Sequence, residues 1–181
     1  MIKKILLVVA VLVAGICILA AFQPSTFRIE RSVAIAASPG ALFPRLNDLH
    51  QTHEWSPWKE KDPKATYEFS GPAAGVGAAQ SWSGNRDIGA GKQTIVESRP
   101  NELVRVKLEF LKPFEAVCES VYTLKPNGQQ TVVTWTMSGE NDFIGKIFCL
   151  FMNQDKMIGG EFEKGLATLK RTSEAPAAKS L

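Results

Sequence analysis

The chain has 181 residues, 45% of them apolar, and its 21 lysine and arginine residues against 18 aspartate and glutamate residues give a net charge of +3. This composition is typical of a globular protein, and the length suits one domain with a short appendage. Without Lys3 and Lys4 the remainder is almost neutral, with 19 basic residues against 18 acidic ones. Nucleic acid is therefore not expected as a partner, since it would require a clustered basic face.

The first predicted element is an apolar N-terminal segment. Lys3 and Lys4 precede eighteen consecutive apolar residues, which end before Gln23 and Pro24. A helix of that length reaches the lower limit for crossing a bilayer of roughly 30 Å, so residues 1–24 are predicted to form a membrane anchor. A cleaved signal peptide is the alternative, because Ile18 and Ala20 have the spacing of a cleavage site.

Both interpretations keep the lysine pair in the cytoplasm and carry the rest of the chain across the membrane. We therefore expect a single-pass cell membrane protein with its domain on the periplasmic, extracytoplasmic side, or a protein secreted to the periplasm if the segment is cleaved. Cys17 lies in the apolar run. Cys118 and Cys149 could pair in an oxidising compartment, or they could remain two separate buried thiols.

A strand and a short helix are predicted next. Phe27, Ile29, Val33 and Ile35 fall on alternate positions, which is the period of a strand with one buried face, and Arg31 interrupts that face. Ser38 followed by Pro39 predicts a helix start, because the hydroxyl can cap free amides and proline is tolerated at the first position. Pro44 is expected to keep this helix short.

Residues 67–137 read as strands joined by turns. The clearest strand alternates apolar Val104, Val106, Leu108 and Phe110 with charged residues. Two more strands, around residues 115–124 and 131–137, are joined by residues 125–128, in which Asn127-Gly128 predicts a hairpin turn.

Gly75-Val76-Gly77 invites comparison with a dinucleotide-binding loop. The third glycine of that fingerprint is missing, since Gln80 stands in its place, and the segment leads into a strand pattern instead of a helix. The stretch is predicted to be a turn or bulge, and no cofactor is expected.

The last predicted element is a long amphipathic helix over residues 142–171. Apolar residues recur there at three- and four-residue steps, namely Phe143, Ile147, Leu150, Phe151, Ile158, Phe162, Leu166 and Leu169. Gly159-Gly160 is expected to kink the helix, and residues 173–181 are predicted to be a disordered tail. Residues 25–172 then form one α+β domain, in which a curved antiparallel sheet wraps around this helix.

The inward residues of two strands predict a cavity beneath the helix. One face of the strand at 115–124 changes from small (Ala116, Cys118, Ser120) to large (Tyr122, Leu124). Small inward residues leave volume, and apolar cavities with a few polar groups are the usual small-molecule sites. An ordinary packed core is the alternative. The predicted ligand-binding residues are Trp55, Trp58, Trp82, Phe110, Cys118, Tyr122, Trp135, Met137 and Phe162.

The stretch HEWSPW, residues 53–58, is predicted to close this cavity. Pro57 pushes Ser56 toward extended backbone, so Trp55 and Trp58 should stand on either side of a bend. A tryptophan has a large apolar surface and a polar N–H group, which suits the rim of a pocket. Structural clamping between the bend and the sheet is an equal alternative.

Candidate catalytic residues exist, but no catalytic set can be assigned. An acid or base in the cavity could come from His50, His53, Glu54, Glu119 or Tyr122. His50 and His53 are three residues apart and could share a helix face, yet with Asp48 or Glu54 they form no recognised metal-binding pattern, so no metal is predicted. Ser56 lacks the glycine frame of a nucleophile elbow.

Five strings together resemble the polyketide cyclase and START-like (SRPBCC) superfamily, in particular a bacterial membrane-anchored branch. They are FRIERSVAIAASPGALFPRLNDL, WSPW, GPAAGVGAAQSWSGN, LKPFEA and FIGKIFCLFMNQDKMIGGEFEKGLATLK, and they span residues 26–171. The resemblance implies the helix-grip fold of the birch-pollen-allergen type, with about seven strands gripping the last helix around a hydrophobic cavity. It implies no fixed catalytic residues.

Three functions remain open at this point. The resemblance favours binding of a hydrophobic small molecule or lipid in the internal cavity, and a cyclase or dehydratase of the polyketide cyclase type is the first alternative. The second is an envelope protein that binds another protein through its sheet. The charged residues on the predicted outer face of the sheet argue against this protein-binding function; they are Arg105, Lys107 and Glu109.

Overall fold

The computed structural model describes residues 1–175, which form six helices and seven strands. The helices are α1 (Ile2–Ala21), α2 (Pro39–Asn47), α3 (Leu49–Trp55), α4 (Trp58–Lys61), α5 (Phe143–Phe151) and α6 (Gln154–Glu174). The strands are β1 (Thr26–Ile35), β2 (Thr66–Ser70), β3 (Ala79–Ser83), β4 (Ala90–Arg99), β5 (Leu103–Lys112), β6 (Ala116–Asn127) and β7 (Gln130–Glu140).

The strands form one antiparallel sheet in the order β1-β7-β6-β5-β4-β3-β2. Together with α6 this confirms the predicted helix-grip α+β fold. Short connections set the order, and the β6–β7 hairpin shows how. Asn127 pairs with Gln130, so the turn consists of Gly128 and Gln129, one residue later than predicted. Gly128 takes a backbone φ of 61°, which glycine adopts without strain.

Three short helices lie between β1 and β2. The Ser38 side chain accepts a hydrogen bond from the Ala41 amide and begins α2 as predicted. Helix α2 has nine residues and is short, as predicted; Pro44 lies inside it, between Leu42 and Leu46, which are fully buried in the core. The Asp48 side chain accepts a hydrogen bond from the His50 amide and begins α3. Residues 71–78 connect β2 to β3 as a loop with positive φ at Gly71, Gly75 and Gly77, in line with the predicted turn.

The predicted single helix over residues 142–171 is in fact two helices. Met152 has extended backbone and ends α5, and the Asn153 side chain begins α6 by accepting a hydrogen bond from the Lys156 amide. The predicted kink at Gly159-Gly160 does not interrupt α6, which continues to Glu174. Ser173 and Glu174, assigned to the tail from the sequence, are therefore helical. Residues 176–181 of that predicted tail lie outside the described residues.

The core lies between α6 and the inner face of the sheet. Phe162, Leu166 and Leu169 of α6 are buried in one cluster with Ile29 and Val133 of the sheet. Burial of such side chains contributes roughly 1.5–3 kcal/mol each to folding, so this contact stabilises the fold.

Arg31, which interrupted the apolar pattern of β1, joins the sheet to α6. Its Nε donates to Glu163 Oε1 at 2.7 Å, and its Nη1 and Nη2 donate to the Asp155 carboxylate at 3.0 Å each. These contacts raise the pKa of Arg31 further above its ordinary value, so it stays charged. Gly159 makes room for the guanidinium, because a Cβ at that position would lie 2.1 Å from Arg31 Nη2.

Helix α1 is long and apolar enough to cross a membrane, and a signal sequence would have the same properties. Its side chains are exposed over residues 2–14, whereas Gly15, Ile16 and Cys17 are half-buried and Ala20 is buried. This last part of α1 packs beside α5. Only residues 22–25 separate α1 from β1.

Candidate functional site

A cavity of about 290 Å³ lies between the inner face of the sheet, α6 and the segment that holds α3 and α4. Its size is close to the lower end of small-molecule pockets, roughly 300–1,000 Å³. A space therefore lies beneath the helix, as the sequence predicted, although of the small residues Ala116, Cys118 and Ser120 only Ser120 lines it.

Eight of the nine residues predicted to bind a ligand surround this cavity. They are Trp55, Trp58, Trp82, Phe110, Tyr122, Trp135, Met137 and Phe162. They come from α3, α4, four strands and α6, so only the tertiary fold brings them together. Their role in binding stays a prediction.

Cys118 is the exception, since it does not line the cavity. It faces inward at the start of β6, opposite Gly139, and a Cβ on Gly139 would lie 3.0 Å from its Sγ. Burial raises the pKa of Cys118 to about 11, so its thiol stays protonated and acts as a small apolar group. Cys118 and Cys149 are free thiols in this structure.

The two tryptophans of HEWSPW have different roles. Trp55 is almost fully buried, its Nε1 donates to the Arg45 carbonyl at 3.1 Å, and its ring meets Tyr122 and Trp135 edge to face at 5.8 and 5.5 Å. It therefore fastens the segment to the sheet. Trp58 is half-buried at the rim of the cavity, with Lys61 Nζ 5.8 Å from its ring. Trp55 thus clamps the segment to the sheet, whereas Trp58 lies at the rim of the cavity.

The inner wall is a stack of aromatic rings. Trp135 lies face to face with Phe162, and Tyr122 is tilted against Trp135 with ring centroids 5.3 Å apart. Trp135 Nε1 donates to Ser120 Oγ at 2.8 Å, which satisfies its buried N–H group. Burial raises the pKa of Tyr122, partly opposed by a hydrogen bond with Ser120, so the phenol stays protonated.

A polar wall on β2 and β3 also lines the cavity, and the sequence analysis did not predict it. Tyr67 pairs with Trp82, and Phe69 pairs with Gln80, so Tyr67 and Gln80 are diagonal neighbours on the same face of β2 and β3. Both line the cavity. The strand pattern of Gln80 and Trp82 was visible in the sequence, but the register that brings Tyr67 beside Gln80 was not.

Two hydrogen-bonding groups of this wall are left free. Gln80 Oε1 accepts a short hydrogen bond from Gln93 Nε2. Gln80 Nε2 and Tyr67 Oη are buried and have no hydrogen-bond partner among the described residues. A buried polar group without a partner costs about 1–3 kcal/mol, so these two groups mark a position where a polar atom of a guest is favoured.

A charged group closes one side of the rim. Glu161 of α6 is nearly buried and forms ion pairs with Lys61 Nζ at 3.2 Å and Lys164 Nζ at 3.0 Å. Burial acts to raise the pKa of Glu161, but the hydrogen bonds from Lys164 and Lys61 outweigh it, and the net pKa is lowered. Glu161 is therefore ionised at neutral pH and holds α4 against α6.

Only two of the five candidate acids and bases face the cavity. His53 lines it with Tyr122, and the His53 ring centroid lies 4.3 Å from that of Tyr67. Burial, and to a lesser degree the charge of Lys59, lowers the pKa of His53, so its imidazole is neutral at pH 7. Burial also raises the pKa of Tyr67.

The other three candidates lie elsewhere. His50 shares α3 with His53, but its ring stacks on Phe69 at 3.7 Å, outside the cavity lining. Glu54 is exposed and pairs with Lys59. Glu119 points from the outer face of β6 and pairs with Arg105 at 2.8 Å. Within residues 1–175 no three His, Cys, Asp or Glu side chains are grouped so that they could hold a metal ion.

The outer face of the central strands is charged. Arg105 bonds both Glu97 and Glu119, at 2.9 and 2.8 Å, and Lys107 bonds Glu109 at 2.7 Å. These ion pairs lie where a protein-binding sheet would present apolar side chains.

Comparisons with known proteins agree with this geometry. The model of a family described as polyketide cyclase / dehydrase and lipid transport matches residues 26–174. A search of curated proteins finds no match.

Three solved structures share the fold. Protein CV1439 from Chromobacterium violaceum has 16% identity and a TM-score of 0.59, with 84% of this chain and 99% of that chain covered. The di-domain ARO/CYC StfQ from the steffimycin biosynthetic pathway has 11% identity and a TM-score of 0.59, with 82% and 51% covered. Major latex-like protein 151 from Panax ginseng has 13% identity and a TM-score of 0.58, with 83% and 99% covered.

Proposed function

The chain belongs to the polyketide cyclase / dehydrase and lipid transport family, and from this membership and the cavity we propose that its domain binds a hydrophobic small molecule or lipid. The observation that carries the proposal is an apolar, partly enclosed space that the protein's own side chains leave unfilled. At about 290 Å³ the cavity is too small for a whole two-chain lipid, so a lipid guest would insert a single apolar arm.

The guest carries a polar atom. Tyr67 Oη and Gln80 Nε2 are unpartnered donors on residues that line the cavity, so an acceptor oxygen of the guest, such as a carbonyl, would satisfy either of them. Trp135, Phe162 and Trp82 would meet the apolar body of the guest. The ligand is thus an apolar molecule with a ketone, ester or amide oxygen, bound in the direction that brings this oxygen to β2 and β3.

We also assign α1 the role of a retained membrane anchor, with the domain on the extracytoplasmic side. The support is its length, its apolar composition and the lysine pair at its start. Intact mass measurement of the purified protein tests this assignment, because loss of the first two dozen residues would instead identify a cleaved signal.

Binding is tested on the full-length protein, extracted gently and examined by native mass spectrometry. A co-purified molecule of defined mass is expected, and an empty, well-folded protein in every preparation would contradict the proposal. Leu108→Trp should fill the cavity and abolish the adduct, since Leu108 lines it. Leu111→Trp on the exposed face of the same strand is the matched control and should leave the adduct unchanged.

A cyclase or dehydratase is a second candidate, favoured by the proximity of His53 and Tyr67. A neutral imidazole can accept a proton while a protonated phenol polarises a carbonyl, which are the two parts of a proton transfer next to a keto group. Poly-β-ketone substrates should then turn over, with loss of turnover in both His53→Asn and Tyr67→Phe. Binding of such substrates without turnover would contradict the enzymatic function and would agree with the proposed binding function.

A further inference from the structure

Helix α5 carries an apolar surface that the domain does not cover. Ile144, Phe148 and Phe151 follow each other at four- and three-residue steps and form one exposed stripe, in which Phe151 is 71% exposed. Met152 extends it beyond the end of the helix. A stripe of this kind in contact with water is unfavourable, since burying an apolar side chain is worth roughly 1.5–3 kcal/mol.

Helix α5 packs beside α1. Its residues Ile147, Cys149 and Leu150, which do not belong to the exposed stripe, are half-buried. The residues of α1 that lose exposure are Gly15, Ile16, Cys17 and Ala20, which all belong to its last two turns. Helix α5 is therefore fixed at the level of the C-terminal end of α1.

The length of α1 indicates how deep in the membrane this contact lies. The seventeen apolar residues of α1 after the lysine pair, residues 5–21, extend about 26 Å at about 1.5 Å each, slightly less than the thickness of the hydrocarbon layer, roughly 30 Å. No turn of α1 is spare, so its last two turns lie inside the leaflet on the side of the domain. The segment from Gly15 to Ala21 extends about 9 Å inward from that boundary, the depth at which amphipathic helices lie in a membrane interface, roughly 5–10 Å.

From this packing we propose that α5 lies in the lipid leaflet beside the end of α1, with the Ile144–Phe148–Phe151 stripe in contact with acyl chains. The proposal rests on the membrane anchoring assigned to α1 above, and it does not depend on what the cavity binds. Polar residues bound this stretch at both ends: Asp142 caps α5 through the Gly145 amide at 2.6 Å, and Asn153 caps α6. The one charged residue between these caps is Lys146, which helical spacing places on the side of α5 away from the stripe, as in an amphipathic helix. Apolar segments of such length, too short to span, are typical of interfacial helices.

A second group of exposed apolar residues lies at the same end of the sheet. Thr26 of β1 pairs with Glu140 of β7, and Phe110 pairs with Ala116 next to the β5–β6 connection, so α5 and this connection leave the sheet from one end. Leu111, Phe114 and Val117 are 58–64% exposed there. Val76, in the β2–β3 connection, marks the opposite end of the sheet.

The test uses the full-length protein in nanodiscs of phosphatidylcholine and phosphatidylglycerol, with one environment-sensitive fluorophore per molecule. Cys17→Ala and Cys149→Ala remove the accessible thiols, and Cys118 remains because it is buried. Single cysteines are then introduced by Phe151→Cys and, in case that variant misfolds, Ile144→Cys. Val76→Cys is the control at the distant end, and Val9→Cys, on the exposed part of α1, reports on anchoring.

Labels at positions 151 and 144 should show blue-shifted emission, strong quenching by doxyl groups near the lipid headgroups, and loss of quenching by aqueous iodide. The label at position 76 should show the reverse. If position 9 is quenched by lipid but positions 151 and 144 behave like position 76, the inference is overturned while the anchor stands. Shielding of 151 and 144 from both quenchers would also overturn it, since protein would then cover α5. If position 9 is not quenched by lipid, the anchoring itself fails.

Discussion

The indole ring of Trp135 and the phenyl ring of Phe162 lie face to face, with centroids 3.9 Å apart and planes 8° from parallel. This contact joins the centre of β7 to the middle of α6, and it also forms the inner wall of the cavity. One pair of rings thus holds the helix on the sheet and shapes the space beneath it.

We expect Phe162→Ala to lower the free energy of unfolding by about 3–5 kcal/mol, because the ring is fully buried and its loss enlarges a cavity that is already present. Denaturant unfolding of the full chain in detergent measures this. Phe114→Ala, the same change on an exposed ring, should alter stability by no more than about 0.5 kcal/mol. Equal effects of the two changes would mean that the Trp135–Phe162 stack does not hold the helix.

The neighbouring glycines of α6 should respond oppositely to alanine. Nothing lies within 4 Å of a Cβ built on Gly160, so Gly160→Ala should stabilise the protein by about 0.5–1 kcal/mol through helix propensity. A Cβ on Gly159 would displace the Arg31 guanidinium from Asp155 and Glu163. Gly159→Ala should therefore be less stable than Gly160→Ala and the wild type alike, and thermal unfolding of the three proteins checks the order.

The ion pairs of Glu161 predict a loss of stability in acid. Its pKa is lower in the folded protein than in the unfolded chain, where it is about 4.3. The unfolded chain therefore binds its proton first as the pH falls, so the contribution of Glu161 is present above that pH and disappears as the pH falls through the folded pKa.

The check is the unfolding free energy of wild type and Glu161→Gln between pH 7 and pH 3. The variant should be less stable at pH 7, by roughly 1–3 kcal/mol for the lost charged partner, and the difference should shrink toward pH 3. A gap that stays constant with pH would show that the ionised carboxylate contributes nothing through Lys61 and Lys164.

Removal of an unpartnered hydroxyl group should stabilise the empty protein. Tyr67 Oη has no hydrogen-bond partner in the described part of the chain, so Tyr67→Phe in ligand-free protein should gain up to about 1–3 kcal/mol. Tyr122→Phe is the matched control: its hydroxyl bonds Ser120, so the same change should cost about 1 kcal/mol. Equal destabilisation in both variants would mean that the Tyr67 hydroxyl is already satisfied without a guest.

The sequence predicted the fold well because local patterns and chain order determine most of it. Alternation of apolar residues specified the inward faces of β5 and β6, and the capping residue Ser38 specified the start of α2. Where the prediction was wrong, two patterns overlapped. The apolar period of α5 continues into α6, so the break at Met152 was hidden, although Asn153 followed by Asp155 is an ordinary helix start.

The site was predicted in its apolar part only. Tryptophans and inward-facing residues of known strands were recognisable, and eight of them do surround the cavity. Tyr67 and Gln80 were not recognisable as site residues. They are neighbours only because β2 pairs with β3 across a loop whose geometry the sequence does not reveal. Conversely, Glu119 was offered as an acid but points outward, since charged residues alternate with inward ones on the same strand.

Residues 22–25 join α1 to β1, and the Asn141 amide fixes that joint by donating to the Ser25 carbonyl at 2.8 Å. Four residues extend at most about 14 Å, far less than the width of the domain they carry. Under the proposed anchoring and ligand binding, so short a joint would keep the domain at the membrane surface. The ligand would then have to reach it along the same leaflet or be delivered by a diffusing carrier, because the domain could not extend to a second membrane.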